Sequence, residues 1–323
     1  LASTMDSPRY STGYASLYQT IGYTSEAHML KPYEERVEAT IALMTTTIEQ
    51  AAKHHEKLLE VRRKAIEKRR SDKNYVLQWK LDSTQVEQIE IMGYEAYMDT
   101  SAVTGLPIKK YDPDRPYTRN IDFYPRYKPT LEAKAPDYYV VPEGWGEVQK
   151  RLDENNVTYS RFARDTVMEV TSYRFTSWES RNSPYEGHYP HSDIKMETEQ
   201  NKRKFYEGDL IVPVSQRAAK YLVNTLEPKA KDSFFRWNYF DEILQQKEWF
   251  SPHVFDAKAE DILANNPELK QSFTKRQETD SAFAASNWQQ LFYIYKNSRF
   301  YEPVKNRYPV ARFEGELPKS IQK

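Results

Sequence analysis

Hydrophobic residues along the chain follow two periods in turn. After Pro32 and the acidic pair Glu34 and Glu35, which suit the positive end of a helix, Val37, Ile41, Met44 and Ile48 recur at helical spacing. The run continues through Leu58, Leu59, Val61 and Ile66 and turns basic at Arg62-Arg63-Lys64 and Lys68-Arg69-Arg70. It predicts a helix of about forty residues with a break near His54. Ahead of it, Ile21 to His28 reads as a β-prone run with Glu26 near its end. From Tyr75 the period falls to two, predicting strands over 76–81 and 88–97. Residues 107–136 carry Pro107, Pro113, Pro116, Pro125, Pro129 and Pro136, which predicts an extended segment with little strand pairing.

Further on, 138–142 reads as a short apolar strand, and Trp145, Val148 and Leu152 as a helix ending at Asn155-Asn156. Strands follow over 158–162, 167–175, 194–198 and 210–214, the last after a turn at Glu207-Gly208-Asp209. From Gln216 the pattern is helical: Ala218, Ala219, Leu222, Val223 and Leu226 form one face. Beyond Pro228, a bulky second face comes from Phe234, Phe235, Trp237, Phe240, Ile243 and Leu244. Short helices over 257–263, 268–273 and 288–295 and a strand-like 310–313 complete the chain.

A chain of 323 residues is long enough for two domains. Its 47 basic and 47 acidic residues cancel, so no global attraction to nucleic acid or to an anionic membrane is expected. The 25 Tyr, 14 Phe and 6 Trp fit β-rich packing before they fit ligand stacking. Cysteine is absent, which excludes disulfides without fixing a compartment. No stretch approaches the ~18 consecutive apolar residues of a membrane span. A P-loop, a dinucleotide fingerprint and a Gly-x-Ser-x-Gly elbow are all missing, and nine glycines leave little material for phosphate-cradling loops.

Glu26 is the first chemical candidate, an acid at a strand end just before a helix opens. The six histidines are His28, His54, His55, His188, His191 and His253, and none has a glutamate three residues later. His54 and His55 point about 100° apart on a helix and read as surface residues. Glu186, His188 and His191 are the remaining cluster of metal-ligand types; the spacing matches no strong motif, and a structural loop is the favoured reading.

Three stretches near the start, Pro8-Arg9-Tyr10-Ser11-Thr12-Gly13-Tyr14, Ser25-Glu26-Ala27-His28 and Met29-Leu30-Lys31-Pro32-Tyr33, resemble the closing part of the catalytic domain of the M14 zinc carboxypeptidases, in their large secreted Bacteroidetes-type form. The resemblance continues in Tyr139-Val140-Val141-Pro142-Glu143-Gly144-Trp145, Ser183-Pro184-Tyr185-Glu186-Gly187-His188, Leu226-Glu227-Pro228 and Tyr308-Pro309-Val310, which look like the non-catalytic C-terminal region of those proteins. It implies that Glu26 is the general base taking a proton from zinc-bound water, and that Tyr14, with Tyr10 and Tyr18 as alternates, hydrogen-bonds the substrate. It also implies a peptide substrate, an upstream catalytic domain as partner, and a secreted or periplasmic location. The family's His-x-x-Glu zinc pair is absent and the chain opens on Leu1, so the expectation is a C-terminal portion of a longer protein. Its zinc ligands would lie upstream, with no metal ligands, no cofactor and no peptidase activity in this chain alone.

The expected fold class is α+β. Residues 1–72 are expected to form the terminal strand and long helix of an α/β peptidase domain, 73–215 a β-rich, sandwich-like accessory domain, and 216–323 a helical C-terminal layer. The alternative is a non-catalytic binding or structural module, or an inactive peptidase homologue.

Overall fold

The computed structural model describes residues 1–323, the side chains of Arg70 and Ser71 excepted. In chain order the helices and strands are α1 (Ser11–Leu17), α2 (Tyr33–Lys53), α3 (His55–Ser71), β1 (Asn74–Leu81), β2 (Glu87–Thr100), β3 (Pro107–Phe123), β4 (Tyr127–Lys134), β5 (Tyr138–Val141), α4 (Gly146–Glu154), β6 (Ser160–Arg161), β7 (Thr166–Ser180), β8 (His191–Phe205), β9 (Leu210–Pro213), α5 (Ala219–Leu226), α6 (Pro252–Asn265), α7 (Pro267–Thr279), α8 (Ser281–Ala284), α9 (Asn287–Lys296) and β10 (Ala311–Phe313). The mixture of helices with antiparallel strand pairs is that of an α+β protein.

Two compact units share these elements. The first comprises Leu1–Asp137, Leu152–Thr158 and Pro213–Ser233; the second comprises Tyr138–Arg151, Tyr159–Val212 and Phe234–Lys323. The division therefore falls elsewhere than at residues 72 and 215. Helix α5 packs on β1 and α3, which draws residues 213–233 back to the N-terminal elements.

In the first unit β1 pairs with β4, and β2 with β3, both antiparallel. The proline-rich stretch is thus not an unpaired segment: its first half is the long strand β3. Each strand of a two-stranded ribbon has a free edge where the missing proline N–H costs nothing. Pro107 lies opposite Thr100 and Pro116 opposite Tyr94, and Pro113 falls where the register slips between Tyr94 and Ala96. The long helix breaks at His54, whose φ of −113° and ψ of 19° interrupt it between α2 and α3.

The second unit holds a six-stranded sheet in the order β6-β9-β5-β10-β7-β8. The strands of 73–215 are accordingly divided among three sheets and both units, in place of one sandwich. Val140, Phe162, Val170, Phe205 and Ile211 form the core on this sheet, with the rings of Phe162 and Phe205 stacked at 5.6 Å. The C-terminal part is not a purely helical layer, because β10 inserts between β5 and β7. Residues 234–240 are turns, not a helix: five of them are aromatic, and Phe235 stacks on Phe175 at 3.7 Å while Phe240 meets Tyr308 edge-on at 5.1 Å. Helices α6 to α9 enclose a separate core of Phe255, Ala259, Phe273, Phe283, Ile294 and Tyr295. The starts of α7, α8 and α9 are capped by Asn266, Asp280 and Ser286, whose side chains accept from the N–H groups of Leu269, Phe283 and Gln289.

Candidate functional site

The first unit contains a cleft of about 1070 Å³ whose walls are the lead-in to α1, α1 itself, the middle of β1, and α5 with the turn that follows it. Its geometry starts at Arg9. The Arg9 backbone N–H donates to Asp232 Oδ2 at 3.0 Å and its Nε to Oδ1 at 2.8 Å, and the Asp232 side chain is only 5% exposed. A charge-assisted pair across 223 residues of sequence thereby pins the start of the chain to the α5 turn. Opposite, Gln78 Nε2 donates to the Lys229 carbonyl at 2.9 Å and ties β1 to the same turn.

Helix α1 lies ahead of the run that carries Glu26. Gly13 and Leu17, four residues apart, are its buried face. Gly13 is obligatory, because a Cβ there would overlap the Ser7 carbonyl oxygen and lie 2.8 Å from that of Asp6. The next segment passes back over α1: a Cβ on Gly22 would come within 3.1 Å of Thr12 Cα, and Ser11 Oγ and Thr24 Oγ1 share a hydrogen bond at 3.4 Å.

This brings Glu26 to the cleft in an irregular segment rather than at the end of a strand. A strand requires a paired neighbouring strand, and residues 19–28 have none among the described residues. Glu26 is exposed. Of the three candidate tyrosines, Tyr10 lines the cleft with Glu26. Tyr14 and Tyr18 face a separate hollow of about 270 Å³ with Asn155, Asn156, Arg217 and Ala218. Their hydroxyls donate to Asn155 Oδ1 at 2.7 and 3.1 Å. Burial first, and then Tyr14, raise the Tyr18 phenol far above its ordinary pKa.

Sequence reading passed over Lys220, Asn224, Lys231 and Trp79, all of which line the cleft. Lys220 and Asn224 sit four residues apart in the otherwise apolar α5, and that polar stripe was the available signal. Asn224 is buried and donates to the Lys220 carbonyl at 2.9 Å. Lys220 Nζ donates to the Ser16 carbonyl at 3.1 Å. Its pKa is lowered, chiefly by burial and then by Arg69.

In the second unit Glu186, His188 and His191 are not assembled as ligands. His191 is 3% exposed; its Nε2 meets Asp241 Oδ1 at 2.9 Å and its Nδ1 meets Ser180 Oγ at 2.8 Å. It clamps the 3-10 turn Asp241–Leu244 to the β7–β8 hairpin, where Ser180 lies directly opposite. His188 instead stacks on Tyr239 and meets Trp237 edge-on, with centroids at 6.1 and 5.4 Å. Among the described residues no group of three His, Asp or Glu side chains converges as a metal site. No helix among them is long and apolar enough to cross a membrane. Comparison of the chain with protein-family models, with curated proteins and with solved structures finds no match.

Proposed function

We propose that the chain is the C-terminal portion of a zinc metallocarboxypeptidase-like protein that hydrolyses peptide bonds, and that as this chain alone it is inactive. The observation that carries the reading lies next to Glu26, in α2. That helix has no buried residue: its partly covered positions are Arg36, Thr40 and Thr47, while Ile41, Met44 and Ile48 are 56%, 58% and 65% exposed. An amphipathic helix with its apolar stripe outward is completed by a further folded body, and the upstream catalytic domain is the body this reading supplies.

Among the described residues no His, Asp and Glu side chains gather as a zinc site, so in this reading the metal would be held by residues outside the chain. What this chain contributes is Glu26, an exposed carboxylate free to take a proton from the attacking water and pass it to the leaving amine, and a tyrosine to orient substrate. Tyr10, which lines the same cleft as Glu26, is better placed for that second role than Tyr14. The test is steady-state kinetics of the longer protein carrying Glu26→Gln. General acid–base roles are worth about 10²–10⁴-fold, so turnover should fall by that amount with zinc content unchanged. Activity within about tenfold of the parent removes Glu26 from the mechanism.

A second reading, a non-catalytic binding module, is favoured by the cleft itself, which this chain builds unaided from α1, β1 and α5. The secreted or periplasmic location belongs to the first reading and stands or falls with it.

A further inference from the structure

Two charged groups at or next to the cleft are already satisfied. Arg9 is held by Asp232, and Asp6 accepts the hydroxyl of Thr12 in a short contact. Lys220 is different. Its ammonium is half-buried at the cleft wall, and what it meets is neutral, the carbonyl oxygen of Ser16 at 3.1 Å and the hydroxyl at 3.4 Å. Among the described residues no carboxylate is paired with it; the charged side chain that acts on it is Arg69, of the same sign. A partly desolvated cation without a counterion is an unfavourable arrangement that a bound anion relieves. The same cleft is lined by two half-exposed aromatic faces, Tyr10 and Trp79, and its space of about 1070 Å³ accommodates a ligand the size of a short peptide or a nucleotide.

We infer that the cleft is a binding site for a small anionic ligand, held through a carboxylate or phosphate group on the ammonium of Lys220 and by apolar contact with Tyr10 and Trp79. Lys231, at the same cleft, adds a second positive charge that draws such a ligand in. Glu26, also on the lining, disfavours an anion on its own side and so orients the ligand with its charged end toward α5. The cleft is the one to which the peptidase reading assigns Glu26 and Tyr10, but anion binding there needs no metal and no turnover, so its test can fail or succeed separately from that reading.

The experiment is titration calorimetry on the chain with inorganic phosphate, with a short aromatic peptide bearing a free terminal carboxylate, and with the same peptide amidated. The expected result is heat of binding from phosphate or the free acid, or both, and none from the amide. A free-acid signal alone assigns a carboxylate ligand; a phosphate signal alone assigns a phosphorylated one. Lys220→Met should weaken the responding ligand by about tenfold or more, as loss of a hydrogen bond to a charged group does, while Lys220→Arg retains it. Circular dichroism of Lys220→Met verifies its fold, and Tyr10→Ala gives a second variant that leaves α5 untouched and should weaken the aromatic peptide. The inference is overturned if no anion binds, if the amide binds as well as the acid, or if Lys220→Met binds like the parent.

Discussion

Helix α2 and strand β7 both carry recurring apolar residues, and they place them in opposite senses. Along β7 the apolar Val170 on one face and Tyr173 and Phe175 on the other are buried in the second unit together with the small Ser172, while Thr171 and Arg174 are partly solvated. Along α2 the polar Arg36, Thr40 and Thr47 are the covered positions, and the apolar ones stand in water. A sequence pattern therefore reports which residues share a face, but not whether the chain in hand contains what that face packs on. The second unit supplies the surfaces that bury the apolar residues of β7; among the described residues none buries the apolar stripe of α2.

The contrast can be broken first where it predicts the largest effect. Phe162 is fully buried in the sheet core and stacked on Phe205, so Phe162→Ala should cost about 3–5 kcal/mol in urea unfolding. A cost below about 1 kcal/mol, the scale of an ordinary substitution, would show that this core is loose. Next comes Gly13→Ala. The added Cβ collides with backbone carbonyls of Ser7 and Asp6, which cannot rotate away as a side chain can. The expected loss is about 1–3 kcal/mol, with disturbance confined to α1 and the cleft. A neutral Gly13→Ala would mean that α1 is not seated as described.

Local pattern was enough for α2, α3 and their break at His54, for β5, α4 and β7, and for most of α5, because each has its own period and its own stop signals. It failed wherever a distant residue decides the local structure. Seven residues cannot hold a helix by propensity alone, and α1 stands because Asp232 grips Arg9 and the Ser7 turn receives Gly13. Residues 234–240 look helical by spacing, yet their rings are taken singly by Phe175 and Tyr308. The site follows the same rule. Glu26 was singled out as a strand-end acid although no strand forms there, the cleft it borders is assembled from residues more than two hundred positions apart, and Lys220 stands among mostly apolar neighbours in α5.

Lys220 gives a smaller effect whose sign is informative. Its folded-state pKa lies below the ordinary 10.5, so between the two values the unfolded chain binds the extra proton. Stability then rises with pH through that alkaline window, and the cost of burying the ammonium is fully present below it. Lys220→Met should raise the urea midpoint at neutral pH, and its advantage over the parent should shrink as the pH approaches 10.5. A parent that is more stable than Lys220→Met at neutral pH would contradict this, and would mean that the ammonium already has a counterion in the folded chain.

The smallest effect is expected on α2. Ile41→Ser and Met44→Ser remove apolar groups from water-facing positions, so each should change the stability of this chain by less than about 0.5 kcal/mol, against several for a buried residue of the same size. Two companion readouts keep a null result from being empty. Fluorescence of a hydrophobic dye, high in the parent because the stripe is exposed, should drop in the double variant, and so should any self-association seen by sedimentation. In a longer protein whose upstream domain covers α2, the same substitutions should instead be strongly destabilising, since the stripe would then be core; Leu, Ile or Met truncation there costs about 2–5 kcal/mol. If Ile41→Ser already destabilises the present chain by that much, α2 is packed within the first unit and the contrast with β7 disappears. The proposal that a further domain completes this face would then lose its support.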